Sequence, residues 1–270
     1  MRIVNLASGS KANCTYIEYG ETVVLIDVGL NEKSLKKALL EIGSSIDKVL
    51  AVCITHEHVD HIRALGALAK KYEFDFYIKK ELAESQFLSD VMFKEGKLHK
   101  IDNMKFSIGE LEILPFEVSH DAIAPIGFIV NVFSSKSKAL FLTDTGMVAE
   151  SLKQNFDNVK MAFLESNYDE KMLLNGKYPY LTKKRIQSEK GHLSNEQSLE
   201  LAKYLFDRGT KCFVLSHISQ NNNTPELAFA NYADYFLEKG YILDKDVFIR
   251  LSFQEKHGNN FNLKEEFDGK

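Results

Sequence analysis

The order of apolar runs and helix signals in this 270-residue chain predicts an α/β (α+β) protein, two sheets with helices outside them. Two observations carry that prediction. Short β-branched runs alternate with amphipathic helical stretches at both ends of the chain, and the middle is a meander of strand patterns. A third sets the scale: at 44% hydrophobic and 27% charged, the composition is that of a globular protein able to bury a full core.

Thr15 to Glu18 and Thr22 to Asp27 read as a hairpin closed around Gly20, and Asn31 offers an N-cap to a helix with apolar face Leu35, Leu39 and Ile42, stopped at Gly43. Val49 to Thr55 is apolar and β-branched, as an inner strand is. A helix from about Asp60 to Lys71, a strand at Phe74 to Ile78 and a helix near Lys80 to Asp90 follow. The meander comprises Lys105 to Ser107, Leu111 to Val118, Gly127 to Phe133 and Ala139 to Thr143. Beyond it come a helix around Val148 to Phe156 and a strand at Met161 to Glu165. Ser194, with Gln197 three residues on, forms a capping box that opens another helix. Lys211 to Ser216 is strand, Pro225 to Lys239 is helix with Pro in its first turn, and Val247 to Phe253 is the last strand. One domain over residues 1–253 and a fraying polar tail over 254–270 are expected, without repeats.

A net charge of −4 argues against bulk electrostatic coating of nucleic acid. No apolar run is long enough to span a bilayer, so no membrane role is expected, and Met1 to Ile17 does not read as a signal peptide. Cys14, Cys53 and Cys212 are odd in number and far apart, which fits buried thiols in a reducing cytoplasm.

The chemistry concentrates in Thr55-His56-Glu57-His58-Val59-Asp60-His61. Alternation along an extended segment puts His56, His58 and Asp60 on one side, and a helix beginning at Asp60 turns His61 back to the same pocket. Imidazole suits zinc and its first-row neighbours, and a carboxylate tolerates manganese. A solvated loop rich in His is the bland alternative, and its position directly after a buried strand argues against it. The segment resembles the His-x-His-x-Asp-His motif of the metallo-β-lactamase fold, which implies a four-layer αββα sandwich and further ligands. His120 in Ser119-His120-Asp121, Asp144 in Leu142-Thr143-Asp144-Thr145-Gly146 and His217 in Leu215-Ser216-His217-Ile218-Ser219 match them, each just past an apolar strand. The resemblance implies two divalent metal ions, zinc or manganese. His56, His58 and His120 hold one, Asp60, His61 and His217 the other, and Asp144 bridges them. It also implies a metal-activated hydroxide oriented by Asp60, and a supporting role behind the ligands for Asp27, for which a salt-bridged core Asp is the alternative.

Gly191-His192-Leu193-Ser194-Asn195 lies 25 residues before His217 and is similar to a loop of the phosphodiesterase branches, ribonuclease Z and ribonuclease J. That similarity makes His192 a general acid at the scissile phosphate and leaves His217 as ligand, the reverse being the alternative. Ser8-Gly9-Ser10-Lys11-Ala12-Asn13-Cys14, Leu164-Glu165-Ser166-Asn167-Tyr168-Asp169, Tyr178-Pro179 and Asn221-Asn222 extend the resemblance to the YycJ (WalJ) group of cytoplasmic 5′ to 3′ DNA exonucleases. Ala12 stands where that group usually has Gly, and Tyr168 where it usually has His. Gly176 to His192 carries a formal charge of +4 with Tyr178 and Tyr180 interleaved, a combination suited to an unpaired strand. Asn167, Lys184, Arg185 and Ser194 are the expected substrate contacts, on single-stranded DNA or DNA ends. An RNA nuclease, a cyclic or small phosphodiester hydrolase, and a non-catalytic metal-bound regulator are the alternatives.

Overall fold

In the computed structural model, which describes residues 1–134, 138–253 and 260–262, two seven-stranded sheets face one another. Arg2–Ala7 (β1), Cys14–Tyr19 (β2), Thr22–Ile26 (β3), Ala51–Ile54 (β4), Asp75–Lys79 (β5) and Leu98–Ile101 (β6) make the first in sequence order. Phe106–Ile108 (β7), Leu111–Glu117 (β8), Ile126–Val132 (β9), Lys138–Leu142 (β10), Val159–Glu165 (β11), Cys212–Ser216 (β12) and Phe248–Leu251 (β13) make the second. Asn260–Asn262 (β14) pairs antiparallel to β1 within the tail expected to fray; the rest of that tail lies outside the described residues. Each sheet begins antiparallel and ends parallel, so the two halves share a topology without a sequence period.

Helices Glu32–Glu41 (α1), Val59–Ile62 (α2), Leu65–Lys71 (α3) and Lys80–Ala83 (α4) accompany the first sheet. Glu150–Lys153 (α5), Glu170–Asn175 (α6), Tyr180–Ile186 (α7), Asn195–Asp207 (α8) and Pro225–Glu238 (α9) accompany the second. The period-two pattern explains the layers. On β3, Val24 and Ile26 point between the sheets while Val23 and Leu25 point outward under Leu35, Leu39 and Leu68. Ile17, Cys53, Phe128, Phe163 and Val214 fill the space between the sheets. Leu201, Leu205, Tyr232 and Phe236 of α8 and α9 cover the far face of the second. The order is αββα, and strands of both sheets are apolar on both faces because both are covered. Phe128 and Phe163 are buried to 0% and 1% exposure, and truncating either to alanine costs roughly 3–5 kcal/mol.

Several elements differ from expectation. β1 and β6 are additional strands, and α6 and α7 additional helices. The helix expected from Asp60 to Lys71 is two, because Ala64 donates its N–H to Val28 O and not within the helix. Only Lys80–Ala83 of the next is α-helical, and the Ser85 hydroxyl binds the Leu82 carbonyl at its end.

These connections place the strand ends that matter on one edge. β3 and β4 run parallel, as do β10, β11 and β12, and two antiparallel pairings give β8 the direction of β10. Ile126 N donates to Thr55 O over 3.1 Å and fastens the start of β9 to the end of β4 across the two sheets. Loops leaving the carboxyl ends of both sheets therefore converge there.

Candidate metal centre

The His-rich loop is built from behind. Thr55 donates its N–H and its hydroxyl to Asp27, each over 2.8 Å, and Asp27 Oδ2 accepts from His61 Nδ1 at 2.7 Å. Backbone bonds repeat the fastening: Val28 N donates to His61 O and Asn13 N to Asp60 O, each over 2.7 Å. A Cβ on Gly29 would overlap the Asp60 carbonyl oxygen, so only glycine lets this loop approach. Gly29→Ala is expected to lower stability by ~1–3 kcal/mol and to weaken metal affinity with it. Urea melts and a metal titration check this, and unchanged affinity would show that the Asp60 backbone is not held through Gly29.

Among the described residues four ligand-distance clusters result, overlapping at Asp144 and its neighbours. His56, His58, His120 and Asp60, His61, His217 are two donor groups, and Asp144 clusters with His56 and His61 and again with Glu165, His192 and His217. His56 Nε2 and His120 Nε2 lie 3.1 and 3.3 Å from His58 Nδ1. His120 is oriented from behind by its Nδ1, 3.1 Å from the Gly191 carbonyl. On the other side His61 Nε2 stands 3.5 Å from Asp60 Oδ2 and 3.4 Å from Asp144 Oδ2. His217 completes a ligand-distance cluster with Asp60 and His61. Asp144 lies between the groups, its Oδ1 3.9 Å from His120 and 3.4 Å from His217. Asp144 Oδ2 and His217 Nε2 are buried and make no hydrogen bond. Unpaired buried polar atoms each cost ~1–3 kcal/mol, and two aimed into one cluster of nitrogens and carboxylates fit divalent cations.

The electrostatics agree. Burial pushes the Asp144 carboxyl up, yet His217, His61, His56 and His120 together hold it well below its ordinary value. Burial and then His61 push His56 far down, so it is neutral and its lone pair is available. Burial also lowers His61 and His217, but Asp144, with Asp27 for the first and Glu165 for the second, outweighs it and lifts them to about 9 and about 10. Protons on these two rings balance the carboxylates, a task a cation would take over.

Glu165, to which the sequence assigns no role, is fully buried at the end of β11. Its Oε1 lies 2.6 Å from His192 Nδ1 and 2.8 Å from His217 Nδ1, and its Oε2 accepts from Thr145 N and Leu193 N at 3.0 and 3.3 Å. The carboxylate is saturated by donors, so it orients both rings and leaves each Nε2 to face outward from it. His192 is on the rim, its side chain 19% exposed, while His217 is buried. Asn13 is the second residue without an assigned role: its Nδ2 donates to Asp60 Oδ2 at 3.1 Å and lies 2.9 Å from His61 Nε2. Asp27, Asp144 and His217 have φ of 61°, 56° and 53°, a left-handed conformation rare outside glycine. Such strain gathers where function needs a particular aim.

A family model described as a Beta-lactamase superfamily domain matches residues 22–218, which include every donor from Asp27 to His217. The chain belongs to the β-lactamase superfamily. It is similar to exodeoxyribonuclease WalJ of Streptococcus pneumoniae serotype 2 (strain D39 / NCTC 7466), 37% identical over 227 residues and 83% of each chain. It is also similar to exodeoxyribonuclease YycJ of Bacillus anthracis, 34% identical over 239 residues, 87% of this chain and 89% of the relative. Among solved structures, the metallo-β-lactamase fold protein YhfI from Bacillus subtilis aligns with a TM-score of 0.70 over 96% of this chain and 98% of its own. Its 13% identity makes this a likeness of fold.

Within this superfamily fold, two of the expected substrate contacts are not at a surface. Ser194 is fully buried, and its hydroxyl accepts from Gln197 N as the N-cap of α8. Asn167 is buried too, its Nδ2 donating to the His217 carbonyl at 2.9 Å. In this structure the Ser194 hydroxyl serves the cap and the Asn167 amide N–H serves the His217 loop. Lys184 and Arg185 are exposed on α7; the first lies over the Tyr180 ring, and the second pairs with Asp121 beside His120. Tyr168 is buried, and its carbonyl accepts from Asn195 N. No helix among the described residues is long and apolar enough to cross a membrane.

Proposed function

We propose that this β-lactamase-superfamily protein is a two-metal phosphodiesterase, an exonuclease that degrades DNA from the 5′ end. The observation that carries the reading is Asp144, set between two imidazole groups with its Oδ2 and the neighbouring His217 Nε2 buried and unpaired. Relatives named exodeoxyribonucleases, matched over most of both chains, favour DNA as the substrate class. His56, His58 and His120 would hold one ion and Asp60, His61 and His217 the other, with Asp144 shared. Zinc or manganese bound there supplies positive charge to a phosphodiester's oxygens and acidifies water enough to ionise near neutral pH.

The chain's own groups do the rest. Asp60, its side chain 18% exposed at the mouth of the cluster, orients the attacking water. His192 keeps a proton at Nε2 for the departing oxygen, with Nδ1 fixed by Glu165. The exposure of His192 against the burial of His217 supports this division of labour over the reverse. Lys184 and Arg185, in the basic stretch ending at His192, draw phosphates of a single strand or a DNA end to the site. All three cysteines are buried, as expected of thiols in a reducing cytoplasm, which supports that location.

Chelation tests the reading. EDTA followed by gel filtration should abolish cleavage, and readdition of zinc or manganese should restore it with about two ions bound per chain. Full activity in metal-free protein would overturn it. Time courses on 5′-labelled DNA and RNA strands test the substrate, and nucleotide release from RNA alone would reassign the protein to RNA. Equal cleavage by His56→Ala and wild type would point to a non-catalytic metal-bound regulator.

A further inference from the structure

The basic stretch from Gly176 to His192 contains a tyrosine, Tyr178, that catalysis does not use. Folding brings it to the loop after His217, where Asn221 Nδ2 donates to the Tyr178 hydroxyl over 2.8 Å and fixes the ring. Between them opens a cavity of about 450 Å³, with Asn175, Lys177 and Tyr178 on one side and Gln220 and Asn221 on the other. That volume falls within the ~300–1,000 Å³ of small-molecule sites. The lining combines a flat ring, amides that each offer a donor and an acceptor, one ammonium and no carboxylate.

The walls are tied to the catalytic region. Ser219 N donates to Asn167 O over 2.9 Å, and Asp169 N to Asn222 O over 2.8 Å. A Cβ on Gly176 would lie 2.9 Å from Asn222 Oδ1, so the end of α6 packs directly on that loop. Gln220 is three residues from His217, at most about 10 Å of chain. A strand with a phosphate at the metal donors therefore has a base within reach of the cavity.

We propose that this cavity seats a nucleobase of the strand being cleaved, its face on the Tyr178 ring and its edge against the amides of Gln220 and Asn221. The inference rests on the phosphodiesterase reading for where the scissile phosphate lies. Because the amides offer both donors and acceptors, the seat accepts any base and separates nucleotides with a base from those without. Lys177 at the rim meets the backbone.

The test is anisotropy of short, labelled, single-stranded DNA with uncleavable phosphorothioate linkages, bound to the manganese-loaded full chain. One strand keeps its terminal bases and the other is abasic there. The strand with bases should bind about ten-fold tighter, and Tyr178→Ala or Gln220→Ala should narrow the gap, while Tyr178→Phe, which keeps the ring, should retain most of it. Equal affinity of wild type for the two strands, or a gap undiminished in Tyr178→Ala, overturns the proposal. Wild-type hydrolysis of bis(p-nitrophenyl) phosphate, which has no base, tests the phosphodiesterase reading separately. Its absence beside an intact base-dependent gap would refute that reading and still support the seat.

Discussion

Asp144→Asn is expected to lower metal-dependent phosphodiester cleavage by about 10³-fold or more and to reduce bound metal below two ions per chain. Asp144 is the anion shared by both donor groups, and four imidazoles already hold its carboxyl well below its ordinary value. Removing its charge would take away the negative centre shared by the two proposed cations. At ~1.4 kcal/mol per factor of ten, losing the several kcal/mol a metal gives the transition state accounts for the rate. Asn suits the test better than Ala, because the backbone at Asp144 has φ 56° and Asn tolerates that region. Elemental analysis and kcat/KM, with a thermal melt to show that the fold persists, decide it. Full metal content with unchanged kcat/KM in a folded variant would remove Asp144 from the centre.

Asp144 is singled out in the sequence by the family resemblance, whereas Glu165 is not. Ligand types crowded into His56 to His61 stand out because histidine is scarce, eight in 270 residues, and His120, Asp144 and His217 are singled out by the family resemblance, with their shared place after apolar strands as support. Glu165 also follows one, but an acidic residue at a strand end reads as the edge of the core. Its partners His192 and His217 are 27 and 52 residues away, and only folding shows that the carboxylate is spent on both. Asn13 is hidden likewise, reaching Asp60 and His61 from a loop 47 and 48 residues earlier. Ser194 reads both as a cap and as a substrate contact, and in the structure its buried hydroxyl accepts from Gln197 N as the cap of α8. The same logic applies to elements. α1 and α8 each bury an apolar stripe that the sequence displays, whereas α7 buries no residue and leaves no such period. β6 is an edge strand, half-buried over Leu98 and His99 with Lys100 exposed, so its polar content concealed it. Positions that pack against a sheet announce themselves; those serving the site or the surface do so only through contacts distant in sequence.

That distinction gives the second large effect its sharpest form. His192→Ala should lower kcat on DNA by about 10²–10⁴-fold, the range for a positioned general acid, and leave metal content unchanged. The His192 side chain is on the rim and outside the triads His56, His58, His120 and Asp60, His61, His217, although it stands at ligand distance with Asp144, Glu165 and His217. A ligand would behave oppositely, losing metal before rate. The leaving group separates an acid from a residue that merely shapes the loop. A deoxyribose oxygen needs a proton as it departs, whereas p-nitrophenolate departs without one. The variant should therefore keep most of its activity on bis(p-nitrophenyl) phosphate while losing it on DNA. Equal losses on both substrates would reject the proton-donor role, and loss of metal would reinstate His192 as a ligand. Glu165→Gln should fail on both substrates, since Oε1 orients His192 and His217 alike and a neutral amide presents only one acceptor oxygen. His192→Ala and Glu165→Gln are therefore expected to differ on the activated diester although their side chains touch. That difference places the proton on the imidazole and the positioning of both rings on the carboxylate behind it.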